Sequence, residues 1–206
     1  MNEIQIEQLR SRLEGALRSL PEGFYDTFEF TTTGNTLCHS ITLSLIAKVL
    51  GEMDGVGYVG VDVKLNDGGG VKFQPDVVGF GNAESLGRVE PVIFVDFESP
   101  NSSDGRVPNY HLPQYMRWIK VQEHKAPYVV ITSVPDAPAP KWKLLYAGPK
   151  GLNFVHKAHL NEIRRNPFRY WKAVWAKELC NQSGLDMSGV FFLNINGRQV
   201  VRFRMQ

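Results

Sequence analysis

The stretch PVIFVDFES, residues 91–99, decides how this chain is read. Val, Ile and Phe in a short run mark a buried strand, yet Asp96 and Glu98 interrupt it. Alternation along a strand sends both carboxylates to one face, about 6.6 Å apart, with Ile93, Val95 and Phe97 on the other. One unpaired buried carboxylate is costly, and two without a cation cost more. The pair therefore requires water, a basic partner or a metal ion.

Upstream, GYVGVDVKL reads as a strand, NDGGG (66–70) as a hairpin turn and VKFQPDVVGF (71–80) as the return strand. Pro75 marks an edge or a bulge there. NDGGG is no phosphate loop, because the Gly-Lys-Ser/Thr ending is missing. Downstream, YHLPQYMRWIKVQEH predicts a helix with Pro113 in its first turn, and APYVVITSV (126–134) a fully apolar strand. Earlier still, Ile4, Leu9, Leu13, Leu17 and Leu20 form one helical stripe, and Leu37, Ile41, Leu45 and Val49 another. The order helix, three strands, helix, strand predicts an α/β fold with a mixed central sheet flanked by helices. After the stiff PDAPAPK, the reading gives an edge strand at KWKLLYAGP, helix over 157–180 broken at Pro167, and a hairpin closing on Asn196-Gly197.

The chain has 206 residues, 43% of them hydrophobic, enough for a packed core. No apolar run approaches the ~18 residues of a membrane span, and the charged N-terminus lacks a signal peptide's apolar core. Cys38 and Cys180 lack metal-type spacing and read as reduced thiols in a cytoplasmic protein. The net charge of +2 conceals an asymmetry: residues 141–206 carry twelve Lys and Arg against three Asp and Glu, and residues 1–140 carry eleven against eighteen. A basic C-terminal third beside an acidic body suits a polyanion partner next to a cation site; a solvated basic face has the same signature.

Asp76, after Pro75, completes the chemistry. If its strand neighbours 91–99, three carboxylates converge at one end of the sheet. Mg²⁺ takes one or two carboxylates plus water and phosphate oxygens, and such a site can activate water toward a phosphodiester. Gln74 shares a strand face with Asp76 and is near enough to position water or a phosphate. Lys72, on the same face, lies about 13 Å away along the backbone; Lys64 is a further candidate base. Ser99 lacks a nucleophile elbow.

Pro75-Asp76 followed by Asp96-Phe97-Glu98 resembles the motif of the PD-(D/E)XK nuclease superfamily. The likeness spans residues 34–134 in element order. It implies a restriction-endonuclease-like core within residues 1–140, with the N-terminal helix, and a basic helix-plus-hairpin extension, 141–206, packed on the same domain. The motif Lys is absent, and Glu98 stands in its place. The resemblance then makes Asp76 and Asp96 ligands of Mg²⁺ or Mn²⁺, Glu98 a base or metal-coupled water activator, and His39 a further metal ligand. Gln114, Tyr115 and His111 on the downstream helix fill the superfamily's Gln/Tyr role, with His111 the weakest. The expected activity is hydrolysis of DNA, RNA being the alternative polymer. Arg164, Arg165, Arg169 and Lys172 are candidate phosphate contacts; Phe168, Trp171 and Trp175 are at core spacing. The rival is an inactive nucleic-acid-binding or protein-interaction module of the same fold, its carboxylates paired with Lys64, Lys72 or Arg106. The hairpin offers an edge for a homodimer.

Overall fold

The computed structural model describes residues 3–27, 32–66, 70, 72–81, 90–98, 110–122, 125–138, 160–180, 184 and 186–205. The helices are α1 (Glu3–Leu17), α2 (Phe24–Thr27), α3 (Thr32–Gly51), α4 (Leu112–Lys120), α5 (Leu160–Arg165) and α6 (Pro167–Cys180). The strands are β1 (Tyr58–Val61), β2 (Leu65–Asn66), β3 (Lys72–Phe73), β4 (Val77–Phe80), β5 (Pro91–Glu98), β6 (Tyr128–Thr132), β7 (Val190–Asn196) and β8 (Gln199–Phe203).

Six strands form one mixed sheet in the order β1-β4-β5-β6-β7-β8, so the chain is α/β. β4 runs antiparallel to β1 and β5, the run β5-β6-β7 is parallel, and β8 returns antiparallel to β7. Parallel neighbours need long crossovers; α4 lies in the first, and α5 with α6 in the second. β5 divides the interior as its alternation requires. Ile93, Val95 and Phe97 pack with residues of α1 and α3, while Phe94 packs on the opposite face with Tyr115, Trp118 and Trp175 of α4 and α6. Asp96 and Glu98 share the Phe94 face, and both are buried, at 1% and 5% exposure.

The long hairpin expected over 58–80 is broken. Only Leu65–Asn66 and Lys72–Phe73 pair around the turn, as a separate two-stranded ribbon. Asp62 adopts a left-handed backbone at φ 56°, which ends β1 and folds Val63 back over Gly60. A Cβ on Gly60 would collide with the Val63 side chain, so this reversal needs glycine there.

Two helical stripes are also shifted. In α1 the buried positions are Ile6, Leu9, Leu13 and Leu17, while Ile4 is 67% exposed. Ile6 lies three residues before Leu9, the better match to a 3.6-residue turn. In α3, Cys38, Thr42, Leu43, Ile46, Val49 and Leu50 are buried and Leu37 is exposed, because a strict four-residue repeat drifts around the helix. Pro113 does sit in the first turn of α4, and Pro167 opens α6. The edge strand expected at 141–149 lies outside the described residues. Among the described residues no helix is long and apolar enough to cross a membrane.

Candidate functional site

The β4–β5 register, with Val77 opposite Val95, brings Asp76 beside Asp96. Pro75 has no N–H for a ladder, so the chain enters β4 free of β3 and turns the Asp76 backbone toward β5. The Asp76 N–H donates to Asp96 Oδ1 at 2.9 Å, and the Phe97 N–H donates to Asp76 Oδ2 at 2.7 Å. Each carboxylate thus accepts a backbone N–H from the neighbouring strand. Asp96 Oδ2 also accepts the hydroxyl of Tyr128, a residue of β6 with no solvent exposure. Tyr128 is held in turn by stacking on Tyr115, with ring centroids 5.0 Å apart, and the Tyr115 hydroxyl donates to Ala126 O at 2.8 Å.

Two imidazoles complete the cluster. His111, at the entrance of α4, places Nδ1 3.0 Å from Asp96 Oδ2, out of hydrogen-bond alignment, and Nε2 3.7 Å from Glu98 Oε1. His39 of α3 comes from the other face of the sheet, with Nε2 3.7 Å from Asp76 Oδ1 and its ring 5.7 Å from that of Phe97.

The electrostatics show crowded negative charge. Burial, then the charge of Asp96, raises the Asp76 carboxyl to about 7 against a pull downward from the Phe97 N–H. Burial pushes His111 down, but contact with Asp96 and the charges of Asp96, Glu98 and Asp76 outweigh it, and its pKa rises. Burial lowers His39, opposed by Asp96 and Asp62. Asp76, though nearer, adds little to that opposition, which fits a carboxyl held partly protonated. Burial and Asp96 lift the Tyr128 phenol well above its usual value, so its hydroxyl remains a donor.

Of the residues singled out in the sequence, Asp76, Asp96, Glu98, His39 and His111 are gathered. Gln74 is exposed, and its amide donates to Asp62 Oδ1, because the strand face it was to share with Asp76 is interrupted at Pro75. Gln114 is half-buried on α4, and among the described residues no hydrogen bond joins it to the carboxylates. His111, ranked below it, occupies the contact instead. Tyr115 is a core residue. Lys64 and Lys72 are exposed and, among the described residues, form no ion pair with the cluster; Ser99 and Arg106 lie outside those residues. Arg164, Arg165 and Arg169 are exposed on α5 and α6, whereas Lys172 is half-buried, its Nζ 6.0 Å from the Phe203 ring centre. Trp171 and Trp175 are buried.

Two residues escaped the sequence reading. Tyr128 opens an apolar strand and looked like core. Asp62 adds a fourth carboxylate near Asp76 and His39, and its backbone N–H donates to Asp76 O at 2.7 Å. Asp between two valines in a glycine-containing strand was the one available signal.

Asp76 and Asp96 are hard oxygen donors with lone pairs beyond those used by protein N–H groups. That donor pair fits a hydrated Mg²⁺ or Mn²⁺, which needs only one or two carboxylates. Among the described residues no group of three or more His, Cys, Asp or Glu side chains is arranged to hold a metal ion. Comparison with known proteins returns no match: no family model, no curated protein and no solved structure is similar to this chain.

Proposed function

We propose that this chain is a metal-dependent nuclease that hydrolyses phosphodiester bonds of DNA through Asp76, Asp96 and Glu98. Its core would be restriction-endonuclease-like, made of α3, β1, β4, β5, α4 and β6, and its location cytoplasmic. The observation that carries the reading is the convergence of Asp76, Asp96 and Glu98, largely buried, with imidazoles as the cationic partners among the described residues. Asp76 and Asp96 would hold Mg²⁺ or Mn²⁺, which when bound would stabilise charge on the phosphate and lower the pKa of a water. Glu98 takes the proton from the attacking water as the new phosphorus–oxygen bond forms. His111, kept protonated by its carboxylate neighbours, balances Asp96 and Glu98 and returns a proton to the departing oxygen. Arg164, Arg165 and Arg169 contact the backbone, whose charge supplies most non-specific affinity.

One observation favours a second reading. Asp76 and Asp96 both accept protein N–H groups, and Lys64 and Lys72 stand apart. A carboxylate pair satisfied this way suits an inactive nucleic-acid-binding module. Incubation of supercoiled plasmid, single-stranded DNA and RNA with Mg²⁺, Mn²⁺ or chelator separates the two. The nuclease cleaves only with metal; binding without cleavage in every condition would overturn catalysis.

A further inference from the structure

We propose that Arg18 and Arg198, at one mouth of the groove between α1 and β8, form a second site for backbone phosphates, away from the carboxylate cluster. This rests on the nucleic-acid part of the function above and not on catalysis.

The groove has a volume of about 570 Å³, and Arg10, Arg18, Arg198, Arg202, Glu7 and Glu14 are among its lining. Its interior charges are committed. Arg10 donates to Glu7 at 2.7 Å, to Glu14 at 3.0 Å and to Val200 O at 3.2 Å, and Glu14 accepts the Val200 N–H at 2.9 Å. Arg202 pairs with Glu3. At the other mouth this balance stops. Arg198 Nη2 donates to Leu20 O at 3.3 Å, two residues from Arg18, so the two guanidiniums share the opening. Both are exposed, and among the described residues neither has a carboxylate in ion-pair range.

Two neighbouring unneutralised cations repel, and an anion between them relieves this. The Leu20 carbonyl also orients the Arg198 fork, leaving most of its five donors for a bidentate oxyanion such as phosphate.

The occupant follows from the sheet. β7 is parallel to β5 through β6, and Glu98, Thr132 and Asn194 share one level, so the β7–β8 turn lies at the carboxylate end. Strand spacing and rise put Arg198 about 15 Å from Glu98. At about 3.4 Å per nucleotide along a strand, that is roughly four or five nucleotides. A polymer, not a small phosphate ester, reaches both sites.

The test is fluorescence anisotropy of a labelled 20-nucleotide DNA and a labelled trinucleotide in chelator, over a range of salt. It compares wild type with an Arg18→Ala, Arg198→Ala double variant; both side chains are exposed, and thermal melts verify the fold. The expected result is a log K against log salt slope shallower by about 2 for the long DNA, about 1 per lost phosphate contact, and no change for the trinucleotide. Equal slopes for the long DNA overturn the site, as does a wild type that binds no DNA. A shallower slope in a protein that never cleaves keeps the site and removes only the nuclease.

Discussion

Tyr128→Phe isolates the hydrogen bond on which the geometry of Asp96 depends. The substitution keeps the ring, its stack on Tyr115 and its edge contact with Phe73 at 5.8 Å, and deletes only the hydroxyl that donates to Asp96 Oδ2. Tyr128 is fully buried and Asp96 is 1% exposed, so bulk water does not replace the lost donor. A buried hydrogen bond to a charged group contributes about 1.5–3 kcal/mol. Asp96 keeps the Asp76 N–H and the His111 contact, which sets the expected loss near 2 kcal/mol. For a chain of this length that is a Tm fall of about 4–8 °C. Urea denaturation at neutral pH of wild type, Tyr128→Phe, Asp96→Asn and the double variant measures it. In the Asp96→Asn background the hydroxyl meets a neutral amide, worth about 1 kcal/mol, so the cycle should show about 1 kcal/mol of coupling. A Tyr128→Phe cost under about 0.5 kcal/mol, with single effects that add, refutes the reasoning.

Asp76 sets a pH dependence of known sign. Its carboxyl rises from 3.8 to about 7 through burial and then the Asp96 charge, so its contribution to stability is complete below about 4 and is lost as pH rises through about 7. Asp76→Asn should therefore gain stability relative to wild type across that interval in metal-free buffer; a difference curve that is flat from pH 4 to 8 contradicts the shift. Glu14→Ala should cost about 1–2 kcal/mol, because it leaves the Val200 N–H on the outer edge of β8 without its acceptor. The same change opens that edge, so analytical ultracentrifugation should show self-association that wild type lacks at equal concentration.

What was legible in the sequence is local. The alternation of β5 gives its two faces, Pro113 and Pro167 mark the starts of α4 and α6, and Asn196-Gly197 closes the β7–β8 hairpin. The neighbourhood of Asp76 and Asp96 was legible as well, since both sit on consecutive long strands of an antiparallel pair. Contacts set by distant register were hidden. Tyr128 reaches Asp96 because parallel pairing puts Tyr128 opposite Phe94, one side-chain step along the same face. His111 outranks Gln114 because the helix entrance, not its second turn, meets β5. Gln74 was misjudged for the opposite reason: a strand face was continued across Pro75, where the ladder is broken.

The most direct measurement of the central claim is plasmid cleavage with Mg²⁺ or Mn²⁺ by wild type and Asp96→Asn at equal, folded concentrations. The carboxylate cluster as a nuclease site predicts metal-dependent cleavage by wild type and at least a hundredfold loss in the variant, about 2.7 kcal/mol of transition-state stabilisation. Equal rates in the two proteins, or no cleavage by either with any metal, would contradict it.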